Sequence, residues 1–155
     1  MVAAAGDASS LDREVRLAVY WKVVDEGYPP TAPEMAEGLG VETEDVEASL
    51  HRLEDAHVLT LAPGTSYVWM AFPFSAIPTP FEVRVGGRRY FANCIWDALG
   101  IPVTLGVTEA TIDSYCPDCA ERLRLEIRDG ALVPADGVIH FAVPAARWWE
   151  NIGAT

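Results

Sequence analysis

Apolar residues in the first third of the chain recur at helical spacing. In the stretch LDREVRLAVYWKVV, from Leu11 to Val24, Val15, Ala18 and Val19 share one helical face and Lys22 continues that row at its edge. Gly27 and the pair Pro29-Pro30 end this helix. Thr31, followed three residues later by Glu34, is a capping-box pattern that opens a short second helix, which Gly38 and Gly40 close. Thr43 is placed to cap a third helix, in which Val46, Leu50 and Leu53 stand at i, i+4 and i+7. Beyond His57 the period shortens to two. HVLTLAPGTSYVWMAF predicts two short strands around a Pro63-Gly64-Thr65 turn. Three helices followed by a hairpin form a winged-helix-like outline.

Pro73, Pro78 and Pro80 then make an extended stretch. FEVRV and RRYFA alternate around Gly86-Gly87, a two-residue hairpin signal. Asn93 to Leu99 reads as a short helix stopped by Gly100 and Pro102. VTLGV, ATIDSY, RLRLEIR and VIHFAV read as strands, with Leu123, Leu125 and Ile127 on one face of the third. AARWWENI closes the chain as a short amphipathic segment in which Trp148 and Trp149 are expected to pack on the sheet. The pattern predicts an α+β fold: a disordered lead over 1–10, a winged-helix-like module over 11–72, a proline-rich linker over 73–80, and over 81–155 a small mixed or antiparallel sheet domain bearing a short cysteine-carrying helix.

Composition narrows the function classes. The chain has 155 residues, half of them apolar, which is too many for a disordered chain. No apolar run reaches the ~18–20 residues of a membrane helix, and MVAAAGDASS lacks the charged and apolar regions of a signal peptide. Three cysteines, an odd number, all in the C-terminal half, suit cytosolic thiols better than a disulfide framework. The net charge is -12, and it is uneven: residues 1–80 hold 4 basic and 13 acidic side chains. A helix-turn-helix outline suggests a DNA-binding regulator, but DNA affinity comes largely from cations on phosphates. The third helix carries Glu44, Asp45, Glu47, Glu54 and Asp55 against Arg52, a surface that a phosphate backbone repels. His51 and His57, six residues apart, do not share a helical face and read as surface or cap residues. His140 reads as a packed histidine in a strand, and Arg84, Arg88 and Arg89 as a solvated hairpin face.

Two groups of residues carry chemistry. Cys94 and Asp97 stand at i and i+3, so a helix projects thiol and carboxylate to one side. Phe91, Ile95, Trp96 and Leu99 around them are apolar, and desolvation raises a carboxyl pKa, so that Asp97 would carry a proton near neutral pH. A helix N-terminus near Cys94 would favour its thiolate. The bland alternative is a buried cysteine beside a surface aspartate. The second group is Cys116-Pro117-Asp118-Cys119. A CxxC can chelate a soft metal or cycle as a dithiol, or can be a tight turn with incidental cysteines. One pair is half a structural zinc site, and its place between strands does not suit thioredoxin-type chemistry.

The blocks TSYVWMAFPF, VRVGGRRYFANCIWDALGIP, SYCPDCAERLRLEI and IHFAVPAARWWENI resemble the organomercurial (alkylmercury) lyases, in the same order and over roughly residues 11–152. The most specific piece is Phe91 to Leu99, aromatic-Ala-x-Cys-x-x-Asp-x-Leu. The resemblance implies that Cys94 and Asp97 are the catalytic pair and that Cys116 matches a cysteine that is often structural. It implies a thiolate on mercury, a second thiolate that weakens the C–Hg bond, and Asp97 as proton shuttle and later ligand. The sequence departs from the family where a second catalytic cysteine precedes the His-Phe block. PADGVIHFAV has none, and Asp136 or Gly137 stands near that position. Cys119 would replace it if the CPDC turn folded over Cys94.

The resulting expectation is a lyase-like enzyme acting on a small organometallic or thiophilic substrate. Cys94, Asp97, Cys119 and Cys116 are its candidate ligands for Hg(II) or another soft metal. No cofactor is required, small-molecule or protein dithiols remove the product, and neither nucleic acid nor membrane is a partner. The alternatives are a soft-metal or thiol-binding protein on the same scaffold without turnover, and a winged-helix metal-responsive regulator.

Overall fold

The computed structural model describes residues 5–154. Three helices come first: α1 (Ala5–Glu26), α2 (Ala32–Leu39) and α3 (Thr43–Asp55). Helix α1 thus already includes residues 5–10 of the expected lead, and residues 1–4 lie outside the described part. The capping box at α2 forms as the sequence predicts. The Thr31 N–H donates to Glu34 Oε2 at 2.7 Å, and the Glu34 N–H donates back to Thr31 Oγ1 at 3.4 Å. Gly40 ends the helix in the left-handed conformation, φ 69°. At α3 the N-cap is Glu42 rather than Thr43, and its side chain makes no capping bond.

Eight strands follow: β1 (Thr60–Leu61), β2 (Val68–Ala71), β3 (Phe74–Ser75), β4 (Glu82–Val85), β5 (Arg88–Ala92), β6 (Ala110–Tyr115), β7 (Arg122–Arg128) and β8 (Ala131–Val133). They form one antiparallel sheet in the order β1-β2-β3-β5-β4-β6-β7-β8. The predicted Gly86-Gly87 hairpin is present, with Val85 opposite Arg88 and both glycines at positive φ. Strand β3 lies inside the proline-rich stretch and stitches the first hairpin to β5, so one sheet runs through both halves of the chain.

Helix α4 (Ile95–Leu105) lies between β5 and β6 and corrects the sequence reading. It does not stop at Gly100-Pro102, and the expected VTLGV strand is its last turn and cap. A proline inside a helix forfeits one hydrogen bond. Here Ile101 and Pro102 are fully buried against the sheet, and that packing holds the helix together until Gly106 caps it at φ 65°. The expected VIHFAV strand is absent too: 138–143 has no ladder partner, and His140 is exposed.

Two apolar clusters result. One joins α1, α2, α3 and the first hairpin around Val15, Val19, Val46, Leu50 and Leu59. The other joins the sheet and α4 around Phe74, Val83, Tyr90, Ala98, Ile101 and Ile112. Tyr20 packs against both and donates its hydroxyl to the Phe72 carbonyl at 2.9 Å. Tyr90 Oη and Arg88 Nη1 both donate to the Val24 carbonyl, at 2.8 and 2.9 Å, tying the end of α1 to β5. Gly27 completes this approach, since a Cβ there would stand 3.2 Å from the Arg89 carbonyl. Phe74 is 1 % exposed at the junction of β3, β5 and α4. Phe74→Ala is expected to lower unfolding free energy by about 3–5 kcal/mol, read as a lower urea midpoint at unchanged slope. A loss under ~1 kcal/mol would mean the junction is loosely packed.

Candidate functional site

Strand β5 ends at Ala92, and α4 begins three residues later at Ile95. Cys94 is the N-cap of α4, with extended backbone (φ -149°, ψ 179°), and its sulfur accepts the Asp97 N–H at 3.4 Å. A cysteine thus takes the place that Ser, Thr or Asp usually fills. The i, i+3 spacing then turns the Asp97 carboxyl onto the same side, where the Cys94 thiol also bonds it. The sequence-predicted pair is brought together as expected.

Burial pushes the Asp97 carboxyl above the ordinary aspartate range, against the opposing bonds from Asn93 and Cys94. The expectation for the thiol needs correction. Burial also raises the Cys94 thiol, and the helix N–H groups of Asp97 and Trp96 do not overcome it. The free site therefore favours a protonated thiol beside a carboxyl that holds its proton more tightly than usual. This is a poor arrangement for a standing thiolate and a good one for passing a proton when an electrophile takes the sulfur.

Asn93 was not singled out by the sequence. Its Nδ2 donates to Asp97 Oδ2 at 3.1 Å and to the Phe74 carbonyl at 3.5 Å, so the end of β3 positions the carboxyl through it. Its own Oδ1 is buried without a partner. The signal was its place directly before the N-cap, which no periodicity marks. Because the Asn93 amide favours the ionised carboxylate, Asn93→Ala is expected to move the Asp97 titration further upward. Carbon-13 NMR of the Asp97 carboxyl would show it, and an unmoved midpoint would contradict the contact.

The C-terminal segment closes over the first turn of α4. Phe141 meets Trp96 edge-on, with ring centroids 6.1 Å apart, and packs on Trp148 at 5.0 Å. The expectation that both tryptophans lie on the sheet is replaced by a different arrangement. Trp149 stacks on His57 at 3.9 Å and meets Phe72 edge-on, which ties the C-terminus to the end of α3. His57 is thus a stacked residue just past that helix, and His51 is exposed with Glu54 3.8 Å away. Arg84 pairs with Glu82, as does Arg89 at 3.9 Å.

Cys116 and Cys119 sit together on the loop between β6 and β7. All three cysteines are free. Among the described residues no three His, Cys, Asp or Glu side chains gather as a metal site. The four candidate ligands therefore divide into two pairs, and Cys119 does not complete a three-ligand centre with Cys94 and Asp97.

No curated protein matches the chain. Among solved structures, the crystal structure of the mercury-bound form of MerB2 shares the fold, with TM-score 0.61 and 22% identity over 79% of this chain. The chain spans 58% of the length of that relative. The MerB model, described as alkylmercury lyase, matches residues 74–155. That match covers just over half of the chain and includes β3, the Cys94–Asp97 turn, α4 and the CPDC loop: the chain belongs to the alkylmercury lyase family.

Proposed function

We propose that the chain cleaves the carbon–mercury bond of a small organomercurial by protonolysis, with Cys94 as mercury ligand and Asp97 as proton carrier. The observation that carries the reading is the capped turn itself: a half-buried thiol beside a half-buried carboxyl of raised proton affinity, the two sharing a hydrogen bond. Mercury is soft and prefers thiolate to oxygen ligands. When R–Hg⁺ takes the Cys94 sulfur, the thiol proton passes to the ionised Asp97 carboxyl, whose proton affinity burial raises. The C–Hg electron pair then takes that proton at carbon. R–H leaves, Hg(II) stays on the sulfur, and the Asp97 carboxylate becomes free to coordinate it. Mercury stays divalent throughout. The stretch PADGVIHFAV offers no second thiolate, so Cys94 and Asp97 carry the cleavage step alone, and an external thiol afterwards takes the metal from the protein. That requirement fits a reducing, thiol-rich compartment such as the cytoplasm; no described helix is long and apolar enough to cross a membrane.

A regulator binding DNA is the weaker reading. Arg52, the cation of the acidic α3, is engaged by Asp12, with Nη2 2.6 Å from Oδ1. The missing second cysteine favours one alternative, soft-metal binding without turnover. Incubation with phenylmercury in excess monothiol separates the two. Catalytic benzene release supports the lyase reading, and one equivalent of phenylmercury bound intact supports the alternative.

A further inference from the structure

The Cys-Pro-Asp-Cys loop takes no part in the pair described above, and its geometry has a use of its own. Tyr115 pairs with Arg122, so residues 116–121 form the loop. The Cys116 N–H donates to the Glu121 carbonyl at 2.8 Å, and the Ala120 N–H donates to the Cys116 carbonyl at 2.9 Å. Ala120 closes the loop in the left-handed region, φ 58°, a conformation that glycine usually supplies. The chain is thereby folded back so that the N–H groups of Cys119 and Asp118 bear on the Cys116 sulfur, and the Cys119 thiol bonds it as well. Cys119 itself is exposed.

Two thiols on one turn, one with its sulfur cradled by amides, match the needs of a soft cation. The thiolate is the ligand, and N–H groups offset its charge. A d¹⁰ ion such as Hg(II) is satisfied by two thiolates, so no third ligand is needed here.

The sheet also places this loop relative to Cys94. Strands β5 and β6 both run antiparallel to β4, and Phe91, Glu82 and Asp113 lie in one row across the three. Cys94 and Cys116 each follow three residues beyond their row residue. Both leave the sheet at the same end, two strand spacings apart, roughly 10 Å.

We propose that Cys116 and Cys119 form a second, two-thiolate site for a soft divalent cation, which receives the metal from Cys94. The receiving step rests on the lyase reading; the binding does not. In that step two S–Hg bonds form as the Cys94 S–Hg bond breaks. The two thiols release two protons, of which one returns to Cys94 and one goes to solvent, and no group is oxidised or reduced.

The test uses the full chain carrying Cys94→Ser, with its fold checked by circular dichroism. Hg²⁺ is titrated in excess N-acetylcysteine, and retained metal and free thiols are counted after gel filtration. One Hg²⁺ per chain with both remaining thiols masked is expected, and it is lost in C94S/C116S and in C94S/C119S. Retention by C94S no greater than by either double variant overturns the site. Failure of the wild-type chain to release benzene while C94S retains Hg²⁺ defeats the lyase reading and leaves the site standing. For the receiving step, the wild-type chain is given one equivalent of phenylmercury without added thiol, then alkylated and mapped by mass spectrometry. Protection of Cys116 and Cys119 with Cys94 alkylated is expected; protection of Cys94 instead overturns the transfer.

Discussion

Cys94→Ser is expected to reduce hydrocarbon release from phenylmercury to the rate of the same thiol buffer without protein. A serine hydroxyl caps a helix at least as well as a thiol, so α4 and the apolar cluster around Ile101 should survive. What is lost is the soft ligand: a hydroxyl oxygen does not compete with buffer thiols for mercury. Thermal unfolding within a few degrees of the wild type, together with absent turnover, separates this chemical loss from a structural one. Residual turnover within tenfold of wild type would show that another thiol begins the reaction.

Asp97→Asn has two expected effects with opposite signs. Activity should fall by about 10²–10⁴-fold, the usual worth of a positioned proton donor, while stoichiometric binding of phenylmercury through Cys94 persists. Stability at neutral pH should rise. Folding raises the Asp97 pKa through burial, so the folded state favours the protonated carboxyl. The stability from this group is fully present below the unfolded aspartate value near 4. It is lost as pH rises through the raised folded value, because the half-buried group must then ionise. Asparagine does not ionise. The variant should therefore melt above the wild type at pH 7, and the gap should close toward pH 4. A gap independent of pH would mean that Asp97 is not strained by its surroundings.

The two effects belong together: the burial that makes Asp97 costly to ionise also raises its affinity for the proton it takes from Cys94. The alternation of RRYFA and RLRLEIR and the Gly86-Gly87 turn were legible in the sequence because hairpins are specified locally. So was the capping box at Thr31, and so was the spacing that places Cys94 beside Asp97. Other features depend on distant partners. Pro102 ends a helix by local rules, yet the sheet beneath α4 carries the helix past it. VIHFAV alternates like a strand, but Phe141 is recruited by Trp96 and Trp148 instead. Strand β8 has a local signal as well, the Asp129-Gly130 pair between Arg128 and Ala131. The separation of Cys116 and Cys119 from the Cys94 pair follows from the order of strands, which no short motif encodes.

The central claim is that one thiol and one carboxyl on the capped turn of α4 suffice to break a carbon–mercury bond. It is tested most directly by a single turnover. The wild-type chain is mixed with one equivalent of phenylmercury without added thiol, and benzene is measured by gas chromatography. The account predicts close to one benzene per chain, with Hg(II) retained by the protein. Phenylmercury recovered intact from the protein, with no benzene, would contradict it.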